Sequence, residues 1–582
     1  MIIGDHFFNS ELISAGIAAA TGKKQGDLLL KNARLVNLLT RNITRTNILI
    51  SGMQIAAIGG NYEKAEIVID LDGGYAVPGL IDAHLHIEST LLFPPALAEI
   101  ITPHGTTTVV NDPHEIANVL GLDGVKMMLD AAESLPCDFF STAPSCVPAT
   151  AMETAGGEIT LEDIRELLKH PRVIGLGEMM NYPGVIDADP AVLGKIAATL
   201  QAGKPVDGHA PGLSGKNLQA YLAAGISTDH ECITAAEALE KLKYGMKIII
   251  RHGSASSSLA ELLPLVNDAN AFSFMFGSDD REAAELLEKG HINDLLKSAV
   301  SLGADPLLML KLATMSAAKH YRLNDRGLLA PGYRADIAVF DDLSEFNVKL
   351  VIKDGKLAAW QGCLTEPVSK VVPPDKALNT VKLPSDVSGS DFRLPALSDH
   401  MPVIGILPGQ LITEKLSLPI KADNSGNVAA KPDHDLNKIA VIERHKESGR
   451  VAVALVKGMG LKEGALASSV AHDSHNIIVV GVEEAAMAAA VNEINRLRGG
   501  FVAVDGSGNV KAALPLAIGG LMSLKPASEV ADEMNKLLQA AEELGSRLPQ
   551  PFLTMSFLAL PVIPSLKITD RGLFDVDNFS FI

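Results

Sequence analysis

Residues 77–88 read VPGLIDAHLHIE, an apolar run that ends abruptly in histidines and a carboxylate. Such a run has the composition of a buried strand, and on a strand His84 and His86 point to the same face. Two imidazoles on one face can share a metal ion. The plain alternative is a pair of hydrogen-bonded histidines at a strand end. What surrounds the segment favours the first reading. The same design recurs downstream in TTVVNDPHE (107–115), VIGLGEMM (173–180), PVDGHA (205–210), GISTDHE (225–231) and FMFGSD (274–279). Helical periodicity separates these runs, as in LEDIRELLKH and AAEALEKLKYG, and the alternation of β with α predicts a parallel sheet. Residues 76–330 span about the length of a (β/α)8 barrel, in which the C-terminal ends of all strands converge on one mouth.

The flanks read differently. From Asp27 to Asp72 short apolar runs alternate with turn signals, and Arg334–Ala358 resumes that style with ADIAVFDD and VKLVIKDGK. SG at 51–52 and DG at 354–355 mark hairpin turns. The fold expected is α/β, with the barrel inserted in a small composite β-sandwich built from residues 1–75 and 331–370. Thr365–Pro395 is rich in Pro, Ser and Gly and predicts a linker or wrapped connection, placed at 371–400. Residues 401–582 form an α+β unit: strands KIAVIER and GRVAVALVKG, a helix through GVEEAAMAAAVNEINRL ending at Gly499–Gly500, a hairpin FVAVDGSGNVKAAL, and an amphipathic helix over Ala527–Leu544. No solenoid-like repeat is present.

Composition removes several classes of function. With 69 acidic and 50 basic residues in 582, the formal charge is −19, which opposes binding to a phosphate backbone or an anionic membrane. Aromatic content is 4%, with Trp360 the one tryptophan, so little is available to stack on a nucleic-acid strand. No partner of either kind is expected, and a small-molecule substrate is. No apolar run reaches 18 residues, and the N-terminus carries Asp5 and Glu11 before the short Leu12–Thr21 segment in place of a basic leader, so a cytoplasmic location is expected. Cys137, Cys146, Cys232 and Cys363 show neither CxxC spacing nor a disulfide framework. His86-x-Glu88 matches half of the H-x-E…P-C-x-x-C deaminase signature, but Pro136–Cys137 is followed by Asp-Phe-Phe. A Walker A motif is absent, and GMGLKEG (458–464) lacks phosphate-loop spacing.

Glu178 ends VIGLGE, where it can bridge two cations or accept an ordinary hydrogen bond. His209, His230 and Asp279 each have a similar local alternative, as satisfied histidines or a helix cap. Taken together with His84 and His86 they make four imidazoles and two carboxylates, the composition of a two-metal hydrolytic centre with ions ~3.5–4 Å apart.

The ordered set HxH, Glu, His, His, Asp resembles the amidohydrolase superfamily. That resemblance implies His84, His86 and Asp279 on one metal, His209 and His230 on the other, and Glu178 as the bridge. Many members carry a carboxylated lysine there; VIGLGEMM has no lysine, which points to a Glu-bridged subgroup. GLIDAHLHIEST, NDPHEIANV, GLGEMMNYPGV, DGHAPGLSG, ISTDHE and AHDSHN (471–476), together with the extra C-terminal unit, are similar to the bacterial adenine deaminases. The expected activity is then hydrolysis of free adenine to hypoxanthine and ammonia by metal-activated hydroxide, with Mn or Fe as the metal and Zn also suited to these ligands. Asp279 is the candidate for moving the proton of water to the leaving nitrogen. Glu115 is the candidate for a second acid on the ring-nitrogen side or for gripping the purine, its alternative being a helix-start acid favoured by the macrodipole. His114, Asp473 and Ser474 are candidate substrate contacts, while ERH at 443–445 reads as a solvated strand end. A homodimer is the default expectation. The rival readings are an amidohydrolase that opens a cyclic amide or removes an acyl group, and a silent barrel used as a binding module.

Overall fold

In the computed structural model, residues 9–254 and 256–582 are described; Asp5 lies outside them. Eight parallel strands form the barrel: Leu80–Leu85, Thr106–Asn111, Asp138–Ala143, Val173–Met179, Val206–Gly208, Thr228–Asp229, Lys247–Arg251 and Phe274–Gly277. The first five make one ladder and the last three another. Parallel bridges Val206–Ile226 and Leu85–Asp279 join the two ladders into a ring. Ile81, Ala83, Val110, Phe140, Ile174, Ile249 and Met275 fill the interior, so the barrel is a packed core and not a pore. Two of its strands, DFFSTA and KIIIR, end in Ala143 and Arg251 and lack the strand-end candidate residue that marks the other six.

Residues on both sides of the barrel complete one nine-stranded sheet, in which Ile337–Phe340 pairs antiparallel with Tyr75–Pro78. Its long strand Gly26–Asn37 pairs on one edge first with Ala65–Asp70 and then with Tyr75 and Ala76, and the change falls at an irregularity between Leu30 and Ala33. There the sheet bends over a core that includes Leu30, Ile48, Ile337 and Ile352. Asp354 and Gly355 both have positive φ, 51° and 77°, as a type I′ hairpin requires.

The C-terminal region is an eight-stranded sheet in the order 413–419, 400–406, 451–457, 436–442, 477–481, 465–468, 500–504, 510–515. Helix Glu484–Leu497 packs on one face. The other face carries helices Ala527–Glu543 and Pro551–Phe557 and meets the barrel in a single continuous core. The Pro-rich connection is wrapped onto this unit: Ala377 and Phe392 are fully buried in the cores of its two faces. Contrary to expectation, Glu443, Arg444 and His445 are buried and not solvated. The Arg444 guanidinium donates to the carbonyls of His475 and Gly519 and to Thr380 Oγ1, and His445 Nε2 lies 2.7 Å from the Ser474 carbonyl, so this strand end anchors segment 471–476. Among the described residues no helix is long and apolar enough to cross a membrane.

Candidate metal centre

Each candidate ligand sits at or just beyond the C-terminal end of a barrel strand, where the apolar interior gives way to the mouth. Two glycines make the approach possible. A Cβ on Gly177 would stand 2.3 Å from Asp112 Oδ2; without one, Asp112 reaches the Glu178 backbone N–H and accepts from it at 2.8 Å. A Cβ on Gly277 would press on Ile249 and on the His84 carbonyl. The chain then turns through Asp279 at φ 55°, a left-handed conformation rare outside glycine and of the kind found at functional sites. The Asp279 N–H donates to the His84 carbonyl at 3.0 Å, which ties the last strand to the first.

The six residues come together. His84 Nε2 and His86 Nε2 lie 3.6 and 3.3 Å from Asp279 Oδ1. Glu178 lies between two groups: Oε1 is 3.6 Å from His86 Nε2, while Oε2 is 2.8 Å from His209 Nδ1 and 3.0 Å from His230 Nε2. The His84 and His230 rings stack at 4.2 Å. All are buried except His209, whose side chain is 20% exposed.

This donor set fits divalent cations. Two ligands ~2.1 Å from one ion stand roughly 3–4 Å apart, which matches the spacing of His84, His86 and Asp279 and is too long for good hydrogen bonds among them. His84 Nε2 is a buried nitrogen without a hydrogen-bond partner. His86 Nδ1 lies 3.0 Å from the Asp112 carbonyl, which can only accept, so Nδ1 carries the proton and the Nε2 lone pair is left for a metal. The electrostatics agree. Burial alone would raise Glu178, but the His209 and His230 charges hold it well below the usual carboxylate range. Burial would likewise raise Asp279, but Arg251 and the facing imidazoles hold it well below. Against the effect of burial, the Glu178 and Asp279 charges push His230 up to about 9. Protons held so firmly by the histidines are the ones a cation displaces.

Two residues outside the candidate ligand set join the cluster: Glu231, which closes the run GISTDHE, and Arg251. Glu231 Oε1 is 3.4 Å from His230 Nε2. Arg251, from the unmarked strand KIIIR, donates to both oxygens of Glu231 and, at 2.6 Å, to Asp279 Oδ2. The other candidates divide. His114 Nδ1 is 3.5 Å from Glu178 Oε1, and Asp473 Oδ1 is 4.0 Å from His114 Nε2, so both reach the rim of the centre. The Ser474 hydroxyl donates instead to Glu153 at 2.6 Å and serves the seam between the barrel and the C-terminal sheet. Glu115 is buried beside that seam, with Ser89 Oγ 2.9 Å from its Oε1.

Residues 75–358 match the amidohydrolase family and residues 410–580 the adenine deaminase C-terminal domain. An adenine deaminase of Desulfatibacillum aliphaticivorans is 47% identical over 567 residues, 97% of this chain and 98% of the relative. Adenine deaminase 2 of Carboxydothermus hydrogenoformans is 46% identical over 569 residues, 97% and 98% of the two chains. An adenine deaminase of Dehalococcoides mccartyi is 45% identical over 573 residues, 98% and 99%. With such identity running through barrel and C-terminal sheet alike, the chain belongs to the adenine deaminase family of the amidohydrolases, enzymes that depend on metal.

Proposed function

We propose that this chain hydrolyses free adenine to hypoxanthine and ammonia. The observation that carries this is the likeness to adenine deaminases over nearly the whole length, C-terminal sheet included. We assign His84, His86 and Asp279 to one divalent cation, His209 and His230 to a second, and Glu178 to a position between them. Bound there, divalent cations would supply a nucleophile at neutral pH by lowering the pKa of water from ~15.7 towards ~7. Mn or Fe is the proposed metal; the same ligands suit Zn.

The protein's own groups manage the protons. Asp279, kept ionised by Arg251, accepts the proton of the attacking water and passes it to the amino group leaving C6. Arg251 binds Oδ2 and leaves Oδ1 turned towards the histidines, which aims the accepting oxygen into the centre. Attack at C6 drives electron density onto the purine ring, and of the two roles open to Glu115 we assign it that of gripping the base, not of protonating it. The buried walls exclude bulk water and strengthen each of these interactions.

The test is direct. Metal-loaded protein supplied with adenine releases ammonia and hypoxanthine, and a chelator stops it. Turnover of a hydantoin or dihydropyrimidine with none of adenine overturns the substrate assignment. Glu178→Gln retains the fold and loses turnover by a factor on the order of 100 or more, with metal content reduced; a fully active Glu178→Gln protein removes the bridge.

A further inference from the structure

Glu115, on the barrel, and His475, on the C-terminal sheet, face each other across the seam without bonding: Nε2 to Oε2 is 3.8 Å. Each is occupied on its far side. Glu115 Oε1 accepts from Ser89, and His475 Nδ1 accepts from the Ala471 N–H at 3.2 Å. A ring nitrogen that accepts carries no proton, so in neutral His475 the proton is on Nε2. The ring is neutral, because burial above all, with the adjoining His472 ring and the Arg444 guanidinium, holds its pKa well below the ordinary value. What remains is one buried N–H donor and one buried carboxylate oxygen, neither with a partner. The same tautomer argues against a third metal at Glu115, His472 and His475, although their candidate ligand atoms are close together.

The pair is near the reaction centre. His114, the neighbour of Glu115, packs its ring 4.7 Å from that of His86, and Ser89 Oγ, which holds Glu115, is 2.5 Å from Asp280. His472, stacked on Phe557 at 4.6 Å, lines with Ser89 and Asp280 a void of about 30 Å³. A purine is larger than this void, so a base seated here displaces segment 471–476 outward from the barrel. With C6 turned to the metal ligands, the opposite edge of adenine presents one ring N–H and one bare ring nitrogen side by side. That is the complement of one acceptor and one donor.

We propose that Glu115 accepts from N9–H and His475 donates to N3, so that the two domains together select the free base and reject purines substituted at N9. The proposal rests on the adenine reading and goes beyond it, because it gives the C-terminal sheet half of the specificity.

The experiment is steady-state kinetics on the full-length, metal-loaded protein with adenine, 9-methyladenine and 3-deazaadenine, the latter two also as competitors. Expected for the unaltered chain is discrimination of at least about 100-fold against each analogue, as a site loses affinity when its buried polar groups go unpaired. Glu115→Gln raises KM for adenine with kcat and metal content little changed, and it reduces the preference over 9-methyladenine by at least about tenfold. His475→Phe does the same for 3-deazaadenine, and His475→Gln, which keeps an N–H donor, restores much of the loss. Should the unaltered enzyme deaminate adenine yet bind 9-methyladenine within about threefold as well, this inference falls and the function stands. A Glu115→Gln protein losing kcat at constant KM also overturns it, since Glu115 would then be a proton donor. If adenine is not deaminated at all, the functional reading fails and takes the inference with it.

Discussion

Arg251 binds two carboxylates that would otherwise crowd the mouth of the barrel, Glu231 and Asp279, and it is itself buried. Removing one member of a buried ion pair leaves charge without compensation, typically at a cost of about 3–5 kcal/mol. Cations at the same site supply positive charge of their own. Arg251→Gln is therefore expected to lower the thermal midpoint of the chelator-treated protein more than that of the metal-loaded protein. Equal shifts in the two states would mean that the guanidinium acts on packing alone. The residue is instructive about what the sequence reveals. His84, His86, Glu178, His209, His230 and Asp279 stand out because each interrupts or follows an apolar run, where an unsatisfied polar group would be costly. In KIIIR the arginine looks like a solvated strand end, and its role follows from carboxylates 20 and 28 residues away that share its mouth only after the barrel closes.

At the level of elements, the barrel loop around Glu153 is clamped to the C-terminal region, chiefly through Asp570 at the turn between strands Leu566–Thr569 and Gly572–Asp575 of a small separate sheet. The Asp570 carboxylate accepts from the Thr154 backbone N–H and hydroxyl at 2.9 and 2.7 Å and from Arg450 at 2.7 Å, while Asn476 donates to the Thr154 carbonyl at 2.9 Å. Glu153 lies inside this clamp, and burial, reinforced by Asp473 and Asp570, pushes its pKa up to about 8. An unfolded chain releases that proton near pH 4.5. Between about pH 4.5 and 8 the folded state therefore binds more protons than the unfolded one, and stability falls as pH rises, by up to about 1.4 kcal/mol per unit. Glu153→Gln removes this titration. Its thermal midpoint, compared with the unaltered metal-loaded protein, is expected to improve steadily from pH 5.5 to 7.5; a difference independent of pH would refute the protonated acid. None of the clamp is legible in the sequence. The strands and helices of the C-terminal region follow from periodicity and turns, but the burial of Glu443–His445 depends on which segment covers it, and polar composition alone suggested solvent.

Across the whole molecule, barrel and C-terminal sheet are not separable bodies resting on each other. Leu85, Leu92, Phe93, Ile116 and Phe139 belong to the same apolar core as Ile439, Val480, Phe501, Met534 and Phe552. Backbone pairing crosses the seam, with the Ser523 N–H donating to the Leu91 carbonyl at 2.8 Å, and Gly519 lies so close to Ile116 that a Cβ there would collide with it. A chain stopped at Leu364 keeps all six candidate ligands and loses this cover. Exposing Leu91, Leu92 and Ile116 alone forfeits roughly 5–9 kcal/mol of burial, which is comparable with the ~5–15 kcal/mol that holds a typical domain folded. Residues 1–364 expressed alone are thus expected to be insoluble or to bind a hydrophobic dye strongly, with metal content and deaminase activity lost together. A soluble, metal-loaded and active fragment would show that the barrel stands without its partner sheet, and the half of the specificity assigned to His475 would then have to be supplied from within the barrel.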